Sequence, residues 1–436
     1  MKVASTVTPR RWLRGTAVLA ALSLGAVLAA HRRVTTRPAA ACAADNAGLT
    51  LPAGFCASVL IENLGGPRHM AVATNGDLFI ARQSKPRGDS TGAGVLIVRS
   101  DANGVGTVVG TFGPVGGTGI AIEGNYVYLD ARTAILRYPF PAGATAPSGA
   151  PDTIVKGMPT GGHAARNFVL DGRGTLYVNI GSNTNSCQQD DRKNNVKGVD
   201  PCVELETRAG IWKFSSTQTG QTFSSSTRFA TGIRNAVGLA WHAGEKQLYS
   251  TQHGRDQLAQ NWGFDETTSA EQPAEEFLRI NAGDDFGWPY CYFDTNQKQL
   301  ILAPEYGGNG KETGRCGAKK APVAYFPGHW APNALHFYTG TMFPARYRDG
   351  AFIAFHGSWN RAPKEQAGYK VVFVPAAKGV YRGGYETFAD NFANGKLDPS
   401  KAEHRPTGLV TAKDGALLVS DDKAGRIYRI QYSGAK

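Results

Sequence analysis

The sequence predicts an all-β protein, a six-bladed β-propeller with four-stranded blades. Three observations carry that expectation. One strand-turn-strand pattern recurs six times, its first recurrences are spaced like propeller blades, and glycine supplies 54 of 436 residues, above the usual ~7 %. Many short strands joined by tight turns would use that glycine. A chain of this length could also divide into two or three average domains. A motif order kept six times favours one repeat architecture over a sandwich of hairpins.

Residues 1–44 read as a leader. Arg10, Arg11 and Arg14 precede an apolar run from Gly15 to Ala30, followed by small residues, which is the order of a secretory signal. The run is shorter than the ~20 residues of a spanning helix; a short membrane anchor is the alternative. Arg10-Arg11-Trp12-Leu13 resembles a twin-arginine signal. Removing the leader takes away Lys2, Arg10, Arg11, Arg14, Arg32, Arg33 and Arg37 and no acid, so the net charge falls from +12 to +5. Residues 45–436 are expected to form a single propeller with loop insertions, periplasmic or secreted, without stable membrane insertion. No Lys/Arg run interleaved with aromatics remains, which argues against nucleic acid as a partner.

Six cysteines in an exported chain read as disulfides. Cys187 and Cys202 bracket a polar loop and Cys291 and Cys316 a Gly-rich one, so local staples are the natural pairing. Cys42 would then pair with Cys56 if cleavage leaves it in place. Six cysteines permit fifteen pairings. No pair has CxxC or CxxCH spacing, which argues against zinc, redox-dithiol and attached-haem chemistry.

In the first unit two short strands flank Asn75-Gly76, a dipeptide that supplies the positive φ angles of a tight hairpin, and GVLIVRS follows at 94–100. The second unit is IEGNYVYLDA with AILRYPF, and the third is LDGRGTLYVNIGS with GIWKFSS. HAGEKQLYSTQHG with FLRINAG, YRDGAFIAFHGSW with YKVVFVP, and KDGALLVSDD with GRIYRIQY complete the six. Each unit has a turn, an inner apolar strand, a loop, and a strand mixing apolar and basic residues. The turns at Gly76, Asn125, Gly174, Glu245, Gly350 and Gly415 are 49, 49, 71, 105 and 65 residues apart. A blade takes ~40–50 residues, so the later units carry insertions, expected on the face that builds a site. The sixth unit ends near the C-terminus, so its missing strand must come from residues 50–61.

Polar residues gather where the chain enters and leaves these strands. Gly161-Gly162-His163-Ala164-Ala165-Arg166 leads into the third unit. Arg234-Asn235 enters the fourth, and Gln252-His253-Gly254-Arg255-Asp256 leaves it. His356-Gly357-Ser358-Trp359-Asn360-Arg361 leaves the fifth, and Arg405-Pro406-Thr407 opens the sixth. A lone His or Arg in a loop is usually structural or solvated. Here the same slot holds His or Arg in four units, mostly beside Gly, which lets backbone approach a ligand. Guanidinium groups match planar carboxylates, so an anionic, planar ligand on the propeller axis would account for the set. His163 has the pKa range of a general base.

GIRNAVGLAW, STQHGRD, AEEFLRINAGDDFGWPYC, FYTGTMFPARYRDGAFIAFHGSWNR and RPTGLVTAKDGALLVSDDKAGRIYRI belong to a match that covers nearly all of residues 50–432 in order. Together they resemble the soluble quinoprotein sugar dehydrogenases, most of all their sorbosone dehydrogenase branch. The resemblance implies a propeller that binds pyrroloquinoline quinone (PQQ) and calcium. It implies oxidation of the anomeric hydroxyl of an aldose or of a hydrated, sorbosone-like aldehyde, with electrons passed to an unidentified acceptor. By position, His163 would be the catalytic base and Arg234 would stabilise charge on the quinone oxygens. Arg234, Asn235, His253, Arg361, Arg405 and Thr407 would contact the cofactor. The backbone carbonyls of Gly254 and Arg255 would ligate calcium, which takes oxygen ligands.

Three positions depart from the glucose-oxidising members. Gly181-Ser182-Asn183 stands where they carry an Asp that orients the histidine, Gly117-Thr118-Gly119 where they carry a Gln, and Arg361 where they carry a Lys. Without an orienting carboxylate His163 is expected to be a less effective base. Two other functions stay open. A calcium-dependent lactonase needs several acidic or Asn side chains around its metal, whereas these loops offer mainly cations. A non-catalytic ligand-binding propeller would be expected to lack His163 or Arg234, and both are present.

Overall fold

The computed structural model describes residues 41–83, 93–114, 116–348, 350–377, 379–381 and 383–434. Nearly all of the expected leader lies outside them. Taken from the axis outward, the first blade consists of Pro67–Val72, Leu78–Arg82, Ala93–Ser100 and Gly106–Pro114. The second consists of Ile120–Glu123, Tyr126–Asp130, Ile135–Pro139 and Asp152–Lys156, and the third of Phe168–Leu170, Thr175–Ile180, Gly210–Ser215 and Arg228–Thr231. The fourth has Leu239–His242, Gln247–Gln252, Glu275–Ile280 and Ala324–Phe326. The fifth has Pro332–Phe337, Ala351–Phe355, Lys370–Val374 and Glu386–Ala389.

The sixth blade draws on both ends of the chain. Pro406–Thr411, Leu417–Asp421 and Arg426–Tyr432 are joined by the N-terminal strand Phe55–Ile61, antiparallel, with Phe55 opposite Tyr432. Closure by the N-terminal strand, expected from the sequence, gives the last blade its fourth strand and stitches the ring shut. Phe55 is the anchor of this closure. Its ring lies 4.8 Å from Phe343, 5.0 Å from Phe388 and 5.3 Å from Tyr347, all edge-on, a favoured aromatic geometry.

The innermost strands touch one another around the axis in blade order, closing sixth on first. The strand read from the sequence as inner is the second one out. The second strands are the apolar ones because they are covered on both faces by neighbouring blades; every residue of Leu78–Arg82 and of Ala351–Phe355 is buried. The innermost strand precedes the turn and mixes polar with apolar residues, as in Pro67–Val72 (PRHMAV). A cavity of about 560 Å³ runs along the axis at the turn end, lined by His69, Asn167, Trp241 and His336 among others.

The long insertions of blades 3 and 4 meet at the other end of the axis. After Ile280 the chain returns beside the third blade, where Asp285 bridges Thr231 in parallel, and so carries residues 288–320 back toward the loop 181–209. Cys187–Cys202 and Cys291–Cys316 staple these two insertions, and Cys42–Cys56 ties residue 42 to the sixth blade. All three pairings are those expected, two from the loops they bracket and Cys42–Cys56 as the remaining pair. No helix among the described residues is long and apolar enough to cross a membrane.

Candidate active site

The end of the axis opposite the turns holds a cavity of about 200 Å³, walled by His163, Arg192, Arg234, Asp256, Glu275 and His329, with His253, Trp359 and Asn360 around them. His163 arrives on a glycine turn. Gly162 has φ +60°, and a Cβ there would lie 2.4 Å from the Asn183 Cα, so only glycine lets the turn close on Ser182. The His163 backbone N–H donates to the Ser182 carbonyl at 2.9 Å. Its Nδ1 lies 2.9 Å from both the carbonyl and the hydroxyl oxygen of Ser182.

The Ser182 hydroxyl donates its own proton to the Thr184 carbonyl at 2.7 Å, so both oxygens act as acceptors toward the ring. Nδ1 therefore carries the proton and Nε2 keeps its lone pair. No carboxylate stands at Nδ1, as the sequence suggests, and Ser182 orients the ring without a charge. Burial, and next the Arg234 charge, lower the His163 pKa to about 3, so the ring is neutral.

Arg234 is almost fully buried and every part of its fork is held. Nε donates to the Asn185 carbonyl, Nη1 to the Gly254 carbonyl at 2.9 Å, and Nη2 to Asn185 Oδ1 and Asp256 Oδ2 at 3.0 and 3.1 Å. Asp256 is the hub. It also accepts from Arg192 Nη2 at 2.9 Å and Asn360 Nδ2 at 2.8 Å, with His329 Nδ1 at 3.6 Å. Burial alone would raise the Asp256 pKa, but Arg234, His329 and Arg192 hold it well below the carboxylate range. His329 shows the converse: burial opposes its charge, but the Asp256 contact together with the Ser269 carbonyl and Glu275 outweighs burial, and its pKa rises.

Glu275 accepts the backbone N–H of Gly254 at 3.0 Å and of Ala331 at 3.2 Å, and burial pushes its carboxyl up to about 7. Glu276, which accepts from Gln252 at 3.0 Å, is pushed to about 8, again by burial. His253 is also neutral, since burial and the Arg234 charge lower it to about 4; its Nε2 lies 3.1 Å from the Pro332 carbonyl.

A second polar cluster stands beside this one. Arg405 donates to the carbonyls of His356 and Gly357 at 2.9 and 2.6 Å. Asp422 joins His356 Nε2 at 2.7 Å to Arg68 Nη1 at 2.5 Å. Thr407 is buried, with its hydroxyl donating to the Arg405 carbonyl. The two clusters are in electrostatic contact, for a charge on His356 would disfavour one on His253. Four guanidinium groups, those of Arg68, Arg192, Arg234 and Arg405, face two ionised carboxylates, Asp256 and Asp422, whose pKa values are both depressed. The mouth of the propeller is therefore net cationic.

Of the residues expected from the sequence, His163, Arg234, His253 and Gly254 line the cavity together. Asn235 is buried next to it, its carbonyl accepting the His253 N–H. The Arg255 guanidinium turns away to Glu305 at 2.5 Å. Arg361 is not part of the wall. Its guanidinium is committed to Glu271 at 2.6 Å and to the carbonyls of Ala270 and Gly328 at 2.7 and 2.9 Å, so it braces loops in the place of a cofactor carboxylate. Nothing in the sequence marks Arg192, Glu275 or His329 for the site, and Asp256 is legible there only as the end of the Gln252-His253-Gly254-Arg255-Asp256 cluster.

Arg192 is brought in by the insertions. It sits inside the Cys187–Cys202 loop, which docks on the blade 4 insertion through Gly198 N–H to the Glu305 carbonyl and Ser186 Oγ to Glu305 Oε1. Trp262 Nε1 shares that oxygen at 2.9 Å. Among the described residues no group of three His, Cys, Asp or Glu side chains could hold a metal.

Fold and site define a six-bladed propeller whose axial mouth sets a neutral, tautomer-fixed histidine beside a buried arginine cluster. The chain belongs to the TrAA12-like family, whose model matches residues 49–433. It is 28 % identical over 233 residues to a pyrroloquinoline quinone-dependent pyranose dehydrogenase of Coprinopsis cinerea, covering 46 % of this chain and 30 % of that one. It is 36 % identical over 205 residues to an uncharacterized protein of Borreliella burgdorferi, covering 47 % and 48 %. The chain thus spans half or less of the curated relatives it matches.

Among solved structures, the holo pyranose dehydrogenase PQQ domain of Coprinopsis cinerea superposes with a TM-score of 0.70 at 22 % identity, covering 88 % of this chain and 97 % of that one. A calcium structure of a Trichoderma reesei family AA12 carbohydrate-active enzyme gives 0.71 at 19 %, covering 92 % and 100 %. The PQQ-bound aldose sugar dehydrogenase of Streptomyces coelicolor gives 0.52 at 19 %, covering 88 % and 99 %. At these identities the likeness is one of fold.

Proposed function

We propose that this protein is a PQQ- and calcium-dependent oxidoreductase that oxidises an aldose or a hydrated, sorbosone-like sugar aldehyde. The observation that carries this reading is His163, with its Nε2 lone pair free in a cavity walled by Arg234 and Arg192. The donor set fits an anionic, planar cofactor: the mouth has more guanidinium groups than ionised carboxylates, and guanidinium forks bind carboxylates in pairs of hydrogen bonds. Arg192 and His253 would hold it on one side, next to the buried Arg234 charge and with Asn235 beside them, and Arg405 on the other, supported by Thr407. When bound, the quinone supplies the two-electron sink for hydride from the carbinol carbon.

The chain's own residues do the rest. Ser182 fixes the His163 tautomer so that Nε2 accepts the hydroxyl proton of the substrate. The Arg234 charge works against that acceptance; an anion bound beside Arg234 would offset it and make His163 a better base. Asp256 holds Arg192 and Arg234 in register, so neither has to reorganise when charge develops nearby. Calcium is proposed on the backbone carbonyls of Gly254 and Arg255 together with ligand oxygens. The Gly254 oxygen keeps one lone pair beyond its bond from Arg234. Export and removal of the leader belong to the same proposal, with cleavage ahead of Cys42, since Cys42 is bridged to Cys56.

The test is a titration of the calcium-loaded protein with PQQ, followed by absorbance and then by sugar. Saturable binding and sugar-induced bleaching are expected with an aldose or a sorbosone-like aldehyde. A protein that leaves the quinone spectrum unchanged and bleaches it with no sugar is a non-catalytic binding propeller.

A further inference from the structure

The cradle of His163 is itself held from outside. Ser182 accepts from Nδ1 with its hydroxyl oxygen only while its own proton is committed to the Thr184 carbonyl, at 2.7 Å. Thr184 in turn is fixed by Glu204. One oxygen of that carboxylate accepts the backbone N–H of Asn183 at 2.6 Å and of Thr184 at 3.3 Å, and the other takes the Thr184 hydroxyl proton. The Thr184 hydroxyl oxygen also accepts the Cys187 N–H at 2.8 Å.

Glu204 follows Cys202 closely, on the short helical turn Val203–Glu206. The Cys187–Cys202 bridge therefore brings both ends of its loop to Thr184, one through the Cys187 amide and the other through the Glu204 carboxylate. Arg208, whose backbone N–H donates to the Glu204 carbonyl at 2.8 Å, reaches the other side of the cradle. Its guanidinium donates to the carbonyls of Thr160 and Gly161, just ahead of the Gly162 turn. Two side chains from one short segment thus grip the two stretches, 160–161 and 183–184, that flank His163 and its partner Ser182.

A neutral imidazole carries its proton on either nitrogen, and a hydroxyl can serve both forms because it donates as well as accepts. Were the Ser182 proton released, it could turn to Nδ1, and the ring would then hold its proton on Nε2, where no second proton can be taken up. We propose that Glu204 is a positioning residue for His163: through Thr184 it keeps the Ser182 hydroxyl turned away from Nδ1 and so keeps Nε2 unprotonated. This inference rests on the reading of His163 as the base. The Ser182 carbonyl also accepts from Nδ1, so loss of Glu204 removes one of two restraints and mixes the tautomers without inverting them.

The tautomer can be read without quinone or sugar, from nitrogen–proton correlation spectra of the whole protein labelled with 15N-histidine at pH 7, where His163 is neutral. His163→Ala, which deletes the signal, assigns it. Wild type should show a protonated Nδ1 and a bare Nε2, and Glu204→Ala a mixture. Glu204→Asp, which keeps the charge but withdraws it by one methylene, should mix the forms as well, and it serves if the alanine variant does not fold. Glu204→Gln, which retains an acceptor for the two N–H groups, should restore the wild-type pattern. In the PQQ-loaded enzyme Glu204→Ala should lower turnover by up to ~10²-fold, the scale for a reacting group displaced by about an ångström, with KM for the sugar unchanged. A wild-type His163 pattern in both Glu204→Ala and Glu204→Asp overturns the proposal. Equal mixing in Glu206→Ala, an exposed carboxylate on the same turn, overturns it too, since general loosening would then be the cause. If the protein binds no quinone the oxidoreductase reading fails, and the tautomer comparison still decides the role of Glu204.

Discussion

Asp256→Asn isolates the hub of the site without changing its shape. The carboxylate takes hydrogen bonds from Arg192 at 2.9 Å, Arg234 at 3.1 Å and Asn360 at 2.8 Å. The Arg234 and Asp256 side chains are only 4 % and 13 % exposed, so water cannot replace the lost charge. Removing one partner of a buried ion pair costs ~3–5 kcal/mol. With an unfolding entropy of ~2.1 cal/mol/K per residue, a domain of roughly 390 residues loses ~4–6 °C in melting temperature for that amount. Calorimetry at pH 7 and matched scan rates should find that drop. The difference should also depend on pH in one direction. Asp256 has a depressed pKa when folded, so its stabilisation is present above the unfolded value near 3.8 and disappears as pH falls through the folded value. Wild type and variant should converge in acid. A variant that melts within about 1 °C of wild type at pH 7 would refute the claim that buried cations depend on this carboxylate.

Further outcomes follow from the same geometry. His163→Ala should leave quinone binding nearly intact and lower turnover by ~10²–10⁴-fold, the range for loss of a general base; full turnover in single-turnover kinetics would remove His163 from the chemistry. Arg405→Ala should mainly raise the PQQ concentration for half-activation, by ~10–150-fold for a charge-assisted bond of 1.5–3 kcal/mol, and unchanged half-activation would confine Arg405 to bracing the carbonyls of His356 and Gly357. Phe55→Ala removes the aromatic anchor of the closing strand, and chemical denaturation should show a loss of ~3–5 kcal/mol; a loss under 1 kcal/mol would mean that strand pairing alone closes the ring. Glu276 has a pKa raised to about 8 from 4.5 by burial, so its stabilisation is complete below 4.5 and is lost as pH rises toward 8. Glu276→Gln should therefore gain stability relative to wild type across that window, and a melting-temperature difference that stays flat with pH would contradict it.

Blade number and the disulfides could be read from residues near one another in the chain, and ring closure from the fourth strand that the sixth unit lacks. Asn75-Gly76 and its five counterparts mark hairpins because φ preferences are local. Val95, Ile97 and Ile353 mark covered strands because burial on both faces demands apolar residues. The same locality explains what was misread. The innermost strand, such as Pro67–Val72, meets its counterparts across the axis and lacks a continuous apolar run, so the second strand passed for it. The outer strands carried no signal strong enough to be recognised, apart from Phe55–Ile61.

At the site, the sequence by itself determined which loops would carry polar groups, and it led to His163, Arg234 and His253. It could not decide which of those groups face one another. Arg361 looked like a ligand for an anion and is instead bound to Glu271, 90 residues away in sequence, whereas Arg192, inside a disulfide loop that reads only as a polar insertion, reaches Asp256 at a separation of 64. Ser182 orients His163 with a carbonyl and a hydroxyl, and a backbone carbonyl has no signature in the sequence at all. Only the tertiary structure decides such pairings, because a hydrogen bond is set by distance and direction between chain segments that the blade insertions fold together, while residue type records only what each group is able to do.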